Sequence, residues 1–492
     1  MAYSTLPELQ FLLQSNETPL DSQIPAIRSE IDRIRAELAV SLVTRNEFDE
    51  DLRNMEEHLN AHSAILSPIR RIPPEILSEI FSWTSSFERI GTFGAHEVAM
   101  PPWDLTHVCR AWRAVARGDS ELWSRIRIST RASTSPTLPS YPIEALEAQL
   151  SLSHTASLGV EFLVHSTNSE AALPLLETLV LHCDRWKLFT FKSLDMSLIP
   201  SLVHIHGRLN RLESLTIIGD DLNDAFNWPS EYTDMFSVAP RLREVRLSDS
   251  SMRSFSPRIS FPCENVTHLR LYCLSDWFYQ TLCKTPSLVE CEILACDVPN
   301  LSVPVVEIPS LRRLTALTVQ KAPLTSFIRA PNLDFLSLSG IIDNVPAFIQ
   351  DSRCRLTTLR LADIYHGPDT ILNLLQCTPT LSNLAITLFD FTATAVEIIL
   401  AALTISGTSA DLCPALTGLF IGFIEQKRFD LLSYRMIGSR FHPQALQGRA
   451  LRRIWIQAGI FLNEGWVNLE EDHLVEIQRF MEAHTGDTDS ES

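Results

Sequence analysis

From Ile27 onward apolar residues return at alternating intervals of four and three: Ile27, Ile31, Ile34 and Leu38, then Phe48, Leu52, Met55 and Leu59. Charged residues such as Glu30, Arg33, Arg35, Glu37 and Glu57 fill the faces between them. A 3.5-residue period keeps one stripe on one side of a helix, so a coiled-coil-like helix is predicted over 24–64. Asp21, Ser22 and Pro25 supply its N-terminal capping chemistry, behind an N-terminal segment 1–23. Ser41 and Arg45 break the stripe, marking either a register-setting defect or the bend of a helical hairpin. The stripe serves either a homodimeric coiled coil or packing against the chain itself.

Between 65 and 128 the pattern shortens and fills with tryptophan and proline. Pro73-Pro74 stop one element and open the next, because proline loses nothing in a helix's first turn. Ile76, Leu77, Ile80 and Phe81 then fall on one helical face. Leu105, Val108, Cys109 and Trp112 repeat the pattern, and Leu122, Trp123 and Ile126 close the unit. Three short helices around aromatic anchors are predicted.

From 129 to 460 the period changes again. A loose L-x-x-L-x-L recurs ten times, beginning at Leu176, Leu212, Leu242, Val266, Leu288, Leu314, Leu333, Leu356, Leu381 and Leu416. The intervals average about 27 residues, within the leucine-rich-repeat range. One such unit buries too little by itself, so neighbours must stack. Within each, the second and third apolar positions, such as Leu179 and Leu181 or Leu359 and Leu361, have the period of a strand. Six units carry a proline two residues before the first leucine: Pro174, Pro240, Pro286, Pro331, Pro379 and Pro414. Helix-like segments such as 371–377 lie between. The predicted fold class is α/β: a helical coiled segment, a small helical bundle, then an irregular solenoid with a parallel concave sheet. The end of the chain, 461–492, reads as an acidic helix and tail.

Ile72-Pro-Pro-Glu-Ile-Leu-x-x-Ile-Phe81, Val108-Cys-Arg-x-Trp-Arg113 and Leu122-Trp123 occur in order. Together they resemble an F-box, followed by leucine-rich repeats, of the type abundant in mushroom-forming (basidiomycete) fungi. The resemblance covers 65–128 and implies docking on a Skp-type adaptor, and through it a cullin, in an SCF-type ubiquitin ligase. It implies adaptor contacts at Pro73, Ile76, Leu77, Ile80 and Phe81, with Leu105, Val108, Cys109 and Trp112 shared between contact and core. An insert, Ser85 to Met100, separates the first two helices and departs from the family's pattern.

Composition narrows the remaining choices. With 45% hydrophobic and 20% charged residues the chain is core-rich, and its net charge of −18 speaks against nucleic acid as a partner. No apolar run is long enough for a membrane span, the N-terminus lacks a signal-peptide pattern, and ten dilute cysteines imply free thiols. A cytoplasmic or nuclear location is expected. Phosphate-loop, dinucleotide, zinc-protease and hydrolase motifs are missing, so no catalytic residue, cofactor or metal is assigned. His204-x-His206, on a predicted strand, reads as two surface residues.

The repeats are therefore expected to bind an unknown protein substrate. Arg243, Arg246, Arg270 and Arg360 form either a basic stripe for acidic or phosphorylated segments or a charged face partnered by its own acids. The rival function is a non-catalytic repeat scaffold without a role in degradation. One compositional feature bears on the ligase reading. Of 41 basic residues only five are lysines, and none precedes Lys187.

Overall fold

A computed structural model describes residues 7–15, 17–43, 49–84, 101–130, 143–164, 172–193, 196–219, 230–249, 259–271, 276–296, 304–319, 327–340, 342–364, 367–388, 393–405, 411–423, 436, 439 and 453–458. The chain forms two compact units, Met1–Lys187 and Leu188–Ser492. The insert 85–100 and the acidic end 461–492 lie outside the described residues.

The first unit begins with α1 (Pro7–Gln14), α2 (Ile24–Val43) and α3 (Asp49–Ile65). Ile27 and Ile31, near the start of α2, share an apolar cluster with Ile65 at the end of α3 and with Leu12 of α1. The two long helices therefore run antiparallel, and the region expected as one helix over 24–64 is a pair of helices. Among the described residues of the stripe, Ile27, Ile31, Ile34 and Met55 are buried. On the outer side Glu30 and Glu37 both pair with Arg33, the spacing at which helical side chains meet. The hairpin is tied down by Arg70, which donates to the Leu12 carbonyl (3.2 Å) and the Glu17 carbonyl (3.3 Å), while Thr18 donates to the Arg70 carbonyl.

Next come α4 (Pro74–Thr84), α5 (Pro101–Val108), α6 (Arg110–Gly118) and α7 (Ser120–Trp123). Leu77, Phe81, Ala116, Leu122 and Trp123 make their common core. Phe81 meets Trp112 with ring centroids 5.0 Å apart, and Trp103 meets Trp123 edge-on at 4.9 Å. The Trp123 indole donates to the Ala116 carbonyl at 2.6 Å, which satisfies its one polar atom inside the core. Parallel strands β1 (Arg125–Thr130) and β2 (Leu158–Val164) follow, joined through α8 (Ile143–Leu152).

The last helix of the unit corrects the sequence reading. Leu176, Leu179 and Leu181 do not begin a repeat strand but lie on α9 (Leu173–Leu181), with Pro174 in its first turn. The run Leu-Pro-Leu-Leu-Glu-Thr-Leu satisfies the 3.6 and the 2.0 periods alike, and burial of Leu175, Leu176 and Leu179 decides for the helix.

The second unit carries a parallel sheet whose strands follow chain order. They are β3 (Trp186–Ser193), β4 (Ser214–Gly219), β5 (Glu244–Asp249), β6 (His268–Leu271), β7 (Glu290–Cys296), β9 (Arg313–Val319), β11 (Phe335–Gly340), β12 (Thr358–Ile364), β13 (Asn383–Leu388), β14 (Gly418–Phe423) and β15 (Arg453–Ala458). Short strands β8 (Val306–Glu307) and β10 (Ile328–Arg329) pair only with each other. Helices α10 (Asp276–Cys283), α11 (Val345–Ser352), α12 (Pro368–Gln376) and α13 (Ala393–Ala402) occupy the connections. The class is thus mixed α/β with a parallel sheet.

Register explains the repeat. Leu215, Val245, Leu269, Cys291, Leu314, Leu336, Leu359, Leu384 and Leu419 form one file of partners across the sheet, and all are buried. Because Leu314 pairs with Cys291, it is the second position of its unit, and that unit begins at Leu311, not Leu314. The intervals 288 to 311 and 311 to 333 then become 23 and 22 residues, where a start at 314 gave 26 and 19.

The prolines have a definite task. Leu242, Leu288, Leu333, Leu381 and Leu416 each donate to the carbonyl three residues back, closing turns with proline in second place. Leu311 and Pro309 obey the same rule. Asn265 donates to the Pro240 carbonyl, Ser310 to that of Pro286 and Asn332 to that of Pro309, so these three turns are each fastened by the next repeat.

Candidate functional site

Helix α4 has two apolar faces. At 100° per residue, Ile76, Ile80 and Trp83 span an arc of about 60°, and Leu77 and Phe81 lie about 110° away. The second pair is buried in the bundle core. The first set stands out, with Ile76 53% exposed, Ile80 41% and Trp83 69%. These three line a shallow, open depression with Glu79 and Thr84. Glu79 accepts from the Trp83 indole at 3.1 Å and so holds the ring across one helical turn. Glu75 in the first turn favours the helix dipole.

The orientation of α4 is fixed from behind. Ser78 Oγ donates to Asp119 Oδ2 at 2.5 Å, and the other oxygen of Asp119 accepts from the Glu121 and Leu122 amides, capping α7. One carboxylate thereby joins α4 to α7.

Of the nine residues assigned to adaptor contact, the structure exposes Pro73, Ile76, Ile80 and Val108. Leu105 and Trp112 are half-buried against the core. Leu77, Phe81 and Cys109 are buried within the chain. Cys109 caps α6, its Sγ accepting from the Trp112 amide at 3.3 Å. Trp83 was not selected from the sequence, although the i, i+4, i+7 spacing from Ile76 was there to be read.

The second candidate surface is the outward side of the parallel sheet, opposite the buried leucine file. Here Arg246 pairs with Glu244 at 2.5 Å, and Arg270 pairs across the ladder with Glu292 at 3.1 Å. Arg243 is exposed just ahead of β5, and its carbonyl accepts from the Thr267 and His268 amides. Arg360 lies further along, its guanidinium 5.5 Å from the centre of the Phe335 ring. The four arginines thus occupy different surroundings, and Arg246 and Arg270 are already neutralised by glutamates. Arg313, absent from the sequence selection, reaches Glu290 at 3.5 Å and sits 4.0 Å over Phe335.

His204 lies in the last turn of a 3-10 segment, Met196–Ile205, not on the strand expected for it, and His206 Nδ1 lies 3.0 Å from the Asp234 carbonyl. Among the described residues no cluster of three His, Cys, Asp or Glu is arranged to hold a metal, and no helix is long and apolar enough to cross a membrane. Burial pushes the Cys291 thiol up to about 12, aided by Glu292 and Glu290, as suits an inert core residue. Cys354 is pushed up to about 11 by burial as well.

No family model matches the chain, and no curated protein matches it.

Proposed function

We propose that the chain is a substrate-recognition subunit of an SCF-type ubiquitin ligase. Helix α4 docks on a Skp-type adaptor, which links the chain to a cullin, and the sheet of the second unit binds a protein substrate. The chain itself performs no chemistry. It raises the effective concentration of substrate beside the ubiquitin-transfer enzyme.

The observation that carries this reading is the exposed file Ile76, Ile80 and Trp83 on a helix whose other side is locked into a core. A rigid, apolar, solvent-facing stripe containing a tryptophan is what a protein interface needs at its centre. Ile76 and Ile80 also fall within the Ile72–Phe81 motif that resembles an F-box. The test is capture of the full chain by a purified Skp-type adaptor, comparing Ile80→Glu with the unaltered chain. Loss of capture with an unchanged circular dichroism spectrum is expected; full capture by Ile80→Glu overturns the docking surface. A scaffold without a degradation role separates downstream: its partners keep their abundance when 66–126 is deleted.

A further inference from the structure

Strand β1 has one neighbour, β2, and is therefore an edge strand. In a parallel ladder a strand turns the N–H and C=O of alternate residues to either side. The Gly159 amide donates to the Ser124 carbonyl, so Ile126 and Ile128 bond towards β2, while Arg125, Arg127 and Ser129 turn their main-chain groups to the open side. Gln149 of α8 closes the beginning of that side, its Nε2 donating to the carbonyls of Trp123 (3.3 Å) and Arg125 (2.9 Å). Beyond it the main-chain groups of Arg127 and Ser129 have no hydrogen-bond partner among the described residues, and both residues are exposed. Ile126 and Ile128 are buried on the inner face, so the edge is anchored in the core. Neither a proline nor a bulge blunts it: the six residues Arg125–Thr130 keep one unbroken register with β2.

We infer that the open side of β1 is the contact between two copies of this chain, which join edge to edge as antiparallel strands about a two-fold axis at Ile128. A two-fold axis makes the same patch meet itself, so the edge has to be complementary to its own reverse. In an antiparallel pair each edge-facing residue stands opposite another and exchanges both main-chain bonds with it. Three registers bring Arg127 opposite a described edge residue. An axis at Ile126 sets it against Arg125, and an axis at Arg127 sets it against itself; like charges directly opposed are unfavourable in both. An axis at Ile128 sets Arg127 against the partner's Ser129, and Ser129 against the partner's Arg127. That register satisfies all the open groups of the two residues at once, with four hydrogen bonds across the axis. Arg127 stays with Glu161 of its own chain, 3.3 Å away, and so brings no unpaired charge to the neutral serine. Gln149 already holds the Arg125 carbonyl, which ends the pairing there. Two joined copies carry two α4 docking faces, so the pair is bivalent.

The contact is independent of adaptor docking, and its test uses the full chain alone. Two paired residues make a small interface, so association belongs to the weak class and is read by sedimentation between about 1 and 500 µM. The mass should rise from one copy towards two across that range. Ser129→Pro removes one edge-facing donor from each copy, two of the four bonds, without touching a bond to β2, and should weaken association about tenfold or more. A mass that stays at one copy to 500 µM overturns the inference. So does a dimer of unchanged strength in Ser129→Pro, the result expected if the helices of 24–64 join the copies instead. Cysteine cross-linking reads the register and decides alone if the proline variant fails to fold. Opposed residues of a bonded pair lie about 5.5 Å apart at Cα, within reach of a disulfide, whereas residues two positions out of register lie roughly 8 to 9 Å apart. A mixture of Arg127→Cys and Ser129→Cys chains should therefore cross-link at least about tenfold faster than either variant alone or the unaltered chain. Equal rates in the mixture and in the separate variants overturn the inference.

Discussion

Adjacent residues of α4 are expected to part company when each is truncated. Leu77 is 4% exposed and packs with Phe81, Ala116, Leu122 and Trp123. Its replacement by alanine removes buried methyl groups and leaves a cavity beneath two aromatic rings, a loss of about 3 kcal/mol. Ile76, one residue earlier, already shows half its surface to water, and truncation there removes at most about 1 kcal/mol. Hydrogen exchange of peptides from 74–84 reads the local opening free energy directly. Where reclosing is fast compared with chemical exchange, Leu77→Ala should accelerate exchange roughly 100-fold and Ile76→Ala by less than about tenfold. The order should reverse in adaptor capture at a temperature where both variants remain folded, with Ile76→Ala impaired and Leu77→Ala retaining affinity. Equal acceleration by the two variants would refute the division of α4 into a core face and a docking face.

Three further outcomes follow from particular contacts. Asp119→Ala removes the α7 cap and the Ser78 bond together and should cost about 2 kcal/mol in urea unfolding, against about 1 for Ser78→Ala. The carboxylates of Glu30 and Glu161 should give opposite pH signatures. The Arg33 hydrogen bond holds Glu30 below the ordinary range, so its contribution is present above the unfolded-state pKa and is lost as pH falls through the lower folded value. Burial raises Glu161 against the opposing Arg127, whose Nε lies 3.3 Å away. Its folded form binds the proton more tightly, so stability falls as pH rises from the ordinary carboxylate pKa to the folded one. Glu161→Gln should therefore melt higher than the unaltered chain at neutral pH, with the gap closing in acid. Finally, the first unit contains one lysine, Lys187, at its last position. On the proposed ligase role, lysines introduced into 1–65 should shorten the chain's half-life in cells; an unchanged half-life leaves codon usage as the explanation of the arginine bias.

Strand β3 was hidden and β9 shifted because an aromatic residue or an alanine stands at the third repeat position, where the eight frames read correctly carry leucine or isoleucine. Eight of the ten starts, from Leu212 to Leu416, fall one residue pair ahead of a strand in the expected frame. In β3 the corresponding frame is Trp186-x-x-Phe189-x-Phe191, with Phe189 opposite Leu215 and Phe191 opposite Ile217. Aromatic rings replace the aliphatic signature while filling the same buried file, so a search for leucine passes over them. In β9 the third position is Ala316, opposite Ile293, and Leu317 beyond it made a plausible but shifted match. Inward and outward residues differ by one step, so only pairing with neighbours decides such a frame.

The helical unit shows a different limit. Ile76, Leu77, Ile80 and Phe81 were placed on a single face, because at 100° per residue the four span an arc of about 140°, wide enough to hold both a buried and an exposed side. Deciding which half is core requires knowing where Trp112 and Trp123 stand, and those lie about thirty to forty residues downstream. The same holds on the sheet. Arg243, Arg246, Arg270 and Arg360 are equivalent in sequence, each an arginine between repeat leucines. Only the ladder shows that Glu292 faces Arg270 while Ala385 faces Arg360, and that Phe335 lies between Arg313 and the strand of Arg360. Net charge of the face is thus a poor guide to what it binds. Register partners decide it strand by strand: Arg270 faces Glu292, and Arg313 faces Glu290 on one side and Phe335 on the other.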